Sequence, residues 1–253
     1  MHQPIHVLLV GASGAIGSRI EALADADESF EVIARIDRDR PHGHAADVPR
    51  KKREIVVDFS HFSALDASVD LAFQRRTGLL VGTTSLGEEH LRRLEELSRT
   101  VPVLVAPNTS VGCVVLIEMV QKIARALGEK FLPSIVEWHR EGKKDAPSGT
   151  AQALKVEVAR AECGASNFGP KAVASIRAGN IVGEHLVRFD GPDETIELVH
   201  KAHSRDLFAR GALRAAAWLV DQPPGRYDMA TMLGLRTPGN DADETSKSPA
   251  PGV

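Results

Sequence analysis

Short apolar runs alternate with amphipathic stretches along the first hundred residues. Ile5–Val10 (IHVLLV), Phe30–Ile36 (FEVIARI), Glu54–Phe59 (EIVVDF), Gly78–Val81 (GLLV) and Val101–Ala106 (VPVLVA) read as strands, Ile5–Val10 and Glu54–Phe59 as buried ones. Between them Ser18–Ala26, Ser63–Arg76 and Glu88–Arg99 carry apolar residues at helical spacing. Strands alternating with helices predict a doubly wound α/β fold, a parallel sheet covered on both faces. Ligands of such sheets bind beyond the carboxyl ends of the strands.

The pattern changes after residue 110. Val111–Gly128 predicts one long helix, with Val114, Ile117, Val120, Ile123, Ala124 and Leu127 on its apolar face, followed by a strand at Ser134–Trp138 and a helix at Thr150–Glu162. Gly164–Lys171 reads as a loop. Ala172–Arg177, Gly183–Asp190 and Glu194–Ala202 alternate apolar and polar residues, which predicts antiparallel strands with one wet face. The second domain is thus expected to be α+β with a mostly antiparallel open sheet, and a second subunit is the expected cover for that sheet. Ser204–Leu219 predicts a helix with Phe208, Leu213, Ala216, Ala217 and Leu219 on its apolar side, and Tyr227–Leu233 a short helix. Thr237–Val253 has almost no apolar content and predicts disorder. The expected organisation is therefore 1–109 for a dinucleotide-binding domain, 110–204 for a substrate and oligomerisation domain, 205–236 returning to the first domain, and 237–253 as a tail.

Composition narrows the function classes. The 253 residues are 43% hydrophobic and 26% charged, with a net charge of -3, so no basic surface argues for nucleic acid. The two cysteines, Cys113 and Cys163, form neither a disulfide framework nor a zinc spacing, so no metal is expected and a reducing cytoplasm is. The chain runs straight into a strand, without the charged and apolar leader of a signal peptide, and no apolar run reaches membrane-spanning length.

Candidate chemistry enters at the strand ends. The first strand meets Gly11-Ala12-Ser13-Gly14-Ala15-Ile16-Gly17 and then a helix, the context of a Rossmann-like dinucleotide fingerprint, here spaced G-x-x-G-x-x-G. Gly11 permits the tight turn, small residues let backbone approach a pyrophosphate, and Gly17 lets the helix pack on the strand. Asp37 ends the second strand 20 positions after Gly17, where a carboxylate would take the adenine ribose hydroxyls of NAD. Arg38 and Arg40 follow and could neutralise the 2′-phosphate of NADP, so NADH and NADPH both stay open. Gly82-Thr83-Thr84 and Pro107-Asn108-Thr109-Ser110 fall on the same sheet edge.

A second concentration of chemistry is Glu137–Thr150, EWHREGKKDAPSGT. Taken alone, a run of Lys and Arg is usually a solvated loop. Here His139, Arg140, Lys143 and Lys144 precede Pro147 and Ser148, a preferred N-cap, so the basic cluster leads into a helix start. Helix N-termini present unpaired N–H groups and favour anions. One titratable imidazole, two ammonium groups, a guanidinium and an anion-binding turn suit a small, multiply anionic substrate that needs a proton.

With these pieces in order, the chain resembles the 4-hydroxy-tetrahydrodipicolinate (dihydrodipicolinate) reductases of the diaminopimelate route to lysine. The resemblance runs from about residue 5 to about 236 and rests on VGASGAIG, the DFS turn, VGTT, APNTSVG, EWHREGKKDAPSGTA, IRAGNIVGEH and HKAHSRDLFARGAL. It implies an NADH- or NADPH-dependent cytoplasmic reductase of a cyclic dicarboxylate, assembled as a homotetramer. By position it implies that Gly11, Ala12, Ser13, Gly14, Ala15 and Ile16 contact the pyrophosphate, that Asp37 and Arg38 meet the ribose end, and that Gly82, Thr83, Thr84, Ala106, Pro107, Asn108 and Thr109 line the nicotinamide side. His139 and Lys143 match the family's proton-handling residues, and Gly149 and Thr150 its carboxylate-binding turn. Arg205 and Phe208 fall in a motif where the chain returns to the first domain. Two departures stand out: Arg140 replaces the family's second histidine, and the segment between Asp37 and Asp58 is short. They leave open a paralogue acting on another imine or keto acid, and a non-catalytic dinucleotide sensor is the reading from another class.

Overall fold

The computed structural model describes residues 3–37, 45, 47–161 and 173–237. The tail, the loop at 164–171, Cys163, Arg38 and Arg40 lie outside them, as does most of the short segment after Asp37. The chain forms two units, Met1–Thr109 with Asp206–Val253 and Ser110–Arg205.

The first unit contains β1 (Ile5–Val10), α1 (Gly17–Asp25), β2 (Phe30–Ile36), β3 (Glu54–Asp58), α2 (Leu65–Arg75), β4 (Gly78–Val81), α3 (Glu88–Ser98) and β5 (Pro102–Val105); the next helix, α4 (Val111–Leu127), belongs to the second unit. After the second unit the chain returns as α6 (Asp206–Leu219), β10 (Gly225–Tyr227) and α7 (Met229–Met232). Six strands form one sheet in the order β10-β5-β4-β3-β1-β2, and every pair is parallel. Side chains alternate across a strand. Leu8, Val10, Val56, Leu79, Val81 and Val103 therefore pack with Leu65, Val69, Leu94 and Leu97 of α2 and α3. Their neighbours Val7, Leu9, Ile55, Val57, Leu80 and Leu104, equally buried, face the side where α1 and α6 pack. Burial on both faces is why these strands read as unbroken apolar runs. The strand order reverses between β1 and β3, the position at which doubly wound sheets open a ligand crevice at their carboxyl edge.

One expectation fails here. Tyr227–Leu233 is not a single helix: Gly225–Tyr227 is a strand paired with Pro102–Leu104, and the helix is confined to Met229–Met232, capped by Asp228. A three-residue strand takes its conformation from its partner's ladder, which no local pattern announces.

The second unit contains, besides α4, β6 (Leu132–His139), α5 (Gly149–Arg160), β7 (Val173–Arg177), β8 (Gly183–Asp190) and β9 (Thr195–Ala202). The sheet order is β7-β6-β8-β9. β8 is antiparallel to β6 and β9, as the alternation suggests, but β7 runs parallel to β6. The intervening α5 makes a crossover, and a crossover returns the chain in the same direction. One face of the sheet is closed by α4 and α5 through Leu116, Val120, Ala124, Ile135, Leu154, Val158, Val187 and Phe189. The other face leaves Ile176 and Val199 exposed.

Candidate active site

Sheet register assembles the polar centre of the second unit. Glu137 on β6 pairs with His185 on β8, and His185 pairs with His200 on β9, so the three side chains form a row on the helix-covered face. The next row holds Arg177 of β7 beside His139. Glu137 has no exposed side-chain surface and is held by Arg177, Ser148 and His139. The Arg177 guanidinium donates to both carboxylate oxygens at 2.8 and 3.0 Å, the Ser148 N–H donates at 3.3 Å, and the His139 ring bonds through Nδ1. Burial alone would raise the Glu137 carboxyl, but Arg177, Ser175 and His139 outweigh it and hold it at about 2. Glu137 is therefore a permanent anion that fixes the His139 ring.

His139 is itself buried. Burial lowers its pKa, against the opposing pull of Glu137, so the neutral imidazole is favoured. Its Nε2 lies against the backbone of Gly183, where an added Cβ would come within 3.0 Å, so a side chain at 183 would displace the ring. Lys143 extends from the turn after β6 and donates from Nζ to Asp145 at 2.7 Å. The turn is tied down by Arg177, which donates to the carbonyls of Lys143 and Asp145. Ser148 caps α5 by accepting from Ala151 N–H at 3.2 Å, as its residue type predicts. Beside it the Cβ position of Gly149 opens into free space, so an anion can reach the first N–H groups of the helix. Arg140 and Lys144 are exposed. His139, Lys143, Gly149 and Thr150 thus belong to one turn-and-helix arrangement, with Arg140 at its solvent side. Glu137, Arg177, His185 and Gly183 complete it, and the sequence reading did not single them out; Glu137 and Arg177 each lie one strand-register step from a residue it did.

The first unit carries the second group of candidate residues. Strand ends are laced in sequence by N–H groups: Gly11 to Ile36, Phe59 to Val10, Gly82 to Asp58 and Ala106 to Val81, each 2.8–2.9 Å. The glycine loop, Gly82–Thr84 and Ala106–Thr109 therefore share the carboxyl edge of the sheet. Gly11 has φ +82°, and a Cβ there would come within 2.4 Å of the Phe59 carbonyl. A Cβ on Gly17 would fall 2.0 Å from the Gly11 carbonyl, so α1 can start here only with glycine. Asp37 accepts from the Ser13 N–H at 3.1 Å and from Ser13 Oγ at 2.9 Å, which fixes the acid beside the loop. Asp58 Oδ1 accepts from Ser60 N–H, Ser60 Oγ and Thr83 Oγ1, while buried Oδ2 has no partner among the described residues. Thr109 donates from Oγ1 to the Phe208 carbonyl at 2.8 Å, and Arg205 is exposed just before α6. A loop that admits no Cβ at Gly11 or Gly17, an acid at the end of β2 and small side chains at the strand ends fit a dinucleotide.

Comparison with known proteins adds to this geometry. A family model described as dihydrodipicolinate reductase, N-terminus, matches residues 5–109, and one described as dihydrodipicolinate reductase, C-terminus, matches residues 112–233. The 4-hydroxy-tetrahydrodipicolinate reductase of Alkaliphilus metalliredigens is 36% identical over 90% of this chain and 99% of its own length. That of Nitratidesulfovibrio vulgaris is 37% identical over 90% and 98%. Among solved structures, a dipicolinate-bound dihydrodipicolinate reductase from Paenisporosarcina sp. TG-14 superposes with a TM-score of 0.73 at 19% identity, covering 89% of this chain and 97% of that one, and shares the fold.

Proposed function

The chain belongs to the dihydrodipicolinate reductase family, and from that premise we propose that it reduces 4-hydroxy-tetrahydrodipicolinate to tetrahydrodipicolinate in the diaminopimelate route to lysine. The observation that carries the reading is the anchoring of His139, Lys143 and the α5 start around one buried anion, Glu137. A nicotinamide dinucleotide, when bound, supplies the hydride. The residues to hold it are Gly11, Ala12, Ser13, Gly14, Ala15 and Ile16 at the pyrophosphate, Asp37 at the ribose, and Gly82–Thr84 with Ala106–Thr109 at the nicotinamide end.

The chain's own part is binding and proton handling. One substrate carboxylate takes the N–H groups of Gly149 and Thr150 at the positive end of α5. The other takes Arg140, whose planar guanidinium binds a carboxylate bidentately and keeps its charge. Lys143 and His139 are the proton-handling pair. Glu137 accepts a hydrogen bond from the Nδ1–H of His139 and so leaves Nε2 as the atom that gains or releases a proton. Charge that develops on the ring during reduction is offset by the same cations. We further place the enzyme in the cytoplasm, and as a homotetramer built on the exposed sheet face bearing Ile176 and Val199.

A coupled assay tests the activity. The substrate is generated from pyruvate and aspartate semialdehyde by its upstream synthase, and loss of nicotinamide absorbance is followed with NADH and NADPH in turn. Substrate-dependent oxidation supports the reading and settles the cofactor. Tight cofactor binding without oxidation refutes it, and Arg140 then argues for a reductase of another imine or keto acid.

A further inference from the structure

We propose that Cys113, His185 and His200 form a binding site for a borderline-soft divalent cation, with Zn²⁺ as the probe, independent of the reductase reading. The residues come from three elements. β8 and β9 set His185 and His200 directly opposite each other, with ring centroids 6.4 Å apart. Cys113 lies in the first turn of α4, and its Sγ is 3.4 Å from His200 Nδ1. Gly112 makes this approach possible: a Cβ there would come within 2.7 Å of the His200 ring. One donor atom from each of the three residues lies within 4.8 Å of the other two.

These separations match a tetrahedral ion. Bonds of about 2.3 Å to sulfur and about 2.0–2.1 Å to nitrogen put sulfur about 3.6 Å from nitrogen and the two nitrogens about 3.3 Å apart. The Cys113–His200 pair already stands at 3.4 Å, and the pairs with His185, within 4.8 Å, close by no more than about 1.5 Å to reach that geometry. His185 supplies the second, independent indication. It is 3% exposed, its Nε2 meets Ser148 Oγ at 3.1 Å, and its Nδ1 is buried with no hydrogen-bond partner among the described residues. A polar atom in that state is costly. A cation on Nδ1 would satisfy it and leave the Nε2 proton to donate to Ser148, the outer contact that commonly orients a metal-binding imidazole. Burial also keeps both rings in the neutral form that ligation requires. His200 is half-buried and gives access from solvent, where water can fill the fourth position. A thiolate with two imidazoles selects Zn²⁺ or Co²⁺ and not Mg²⁺ or Ca²⁺.

The alternative set Glu137, His139 and His185 also lies within ligand distance. It contains no sulfur, so spectroscopy separates the two. The test uses the full chain, stripped of metal and kept reduced, with Zn²⁺ titrated by calorimetry and Co²⁺ by absorbance. The expected result is a single equivalent bound, with a thiolate-to-cobalt charge-transfer band, tetrahedral ligand-field intensity and no competition from Mg²⁺. Cys113→Ser should abolish that band and weaken Zn²⁺ by at least the roughly 10- to 100-fold that loss of an outer contact costs. Cys163→Ser should leave both unchanged. Absence of the thiolate band in the unaltered protein overturns the proposal without recourse to any variant. Zn²⁺ binding by Cys113→Ser as tight as that of the unaltered protein overturns it equally.

Discussion

Replacing Glu137 by Gln preserves the shape of the side chain and removes its charge. Arg177 then loses its anion, and the His139 ring loses the group that fixes it. Removing one partner of a buried pair costs about 3–5 kcal/mol. Holding the carboxyl at about 2, against the ordinary 4.5, corresponds to about 3 kcal/mol at about 1.4 kcal/mol per unit. The Arg177 side chain keeps 17% of its exposure, and solvent screening on that side brings the expected loss to about 2 kcal/mol. In a chain of this size that lowers Tm by about 4–8 °C. The pH dependence has a definite sign. Because the folded carboxyl is the stronger acid, its contribution is full above about 4.5 and is lost as pH falls toward about 2. Urea unfolding of both proteins at stepped pH should therefore give a gap of about 2 kcal/mol near neutrality that closes below about pH 4.5. A gap under about 0.5 kcal/mol near neutrality, the range of ordinary surface substitutions, refutes the reasoning. So does a gap that stays constant through acid pH.

Three further outcomes follow from the same structure. Lys143→Ala should lower kcat by about 10²- to 10⁴-fold, the usual share of a positioned proton donor, while nicotinamide fluorescence titration shows cofactor affinity unchanged; near-normal turnover would remove Lys143 from the mechanism. Gly17→Ala puts a Cβ 2.0 Å from the Gly11 carbonyl; unfolding should show a loss of about 1–3 kcal/mol or more, with weakened dinucleotide binding, and a variant as stable as its parent would contradict the loop geometry. Burial, then the neighbouring His139, holds His185 at about 4, so its folded ring stays neutral and its stability contribution, full above the ordinary 6.5, is lost as pH falls toward about 4; an NMR titration of the ring with a midpoint near the ordinary value would refute this.

The centre of the parallel sheet was legible because Ile5–Val10 and Gly78–Val81 are buried on both faces and carry their own signal, and both stand in the structure with the bounds the pattern predicts; Phe30–Ile36, an edge strand buried only at Ile36, also keeps its predicted bounds. Ser148 was legible as a cap because capping is a property of one residue and the turn that follows. Glu137 was not. A glutamate in a strand is ordinarily an exposed residue, and only register, which sets Arg177 and His185 beside it, makes it the buried centre of the site. The direction of β7 and the existence of β10 were hidden for the same reason, since each depends on a partner distant in sequence. The cation site escaped motif reading because its ligands are 72 and 15 residues apart, as 185 less 113 and 200 less 185, while zinc motifs are read from closely spaced pairs.

The first unit is discontinuous: its sheet starts at residue 5 and is closed at one edge by β10, and α6 covers β3, β4 and β5 only after the second unit has been made. On a ribosome the order of arrival is fixed. At about 5–20 residues per second, the 118 residues from Thr109 to Tyr227 take about 6–24 s to emerge. For that interval β5 is an uncovered edge, and the face that receives Ala209, Ala212 and Ala216 is open to water. The nascent first unit is then most exposed to edge-to-edge pairing, and the second unit, contiguous from Ser110 to Arg205, is the part able to finish folding first. Slow translation beyond residue 205 would lengthen that exposure, whereas a rearranged chain with α6 and β10 joined directly to Thr109 and the second unit moved after them would abolish it.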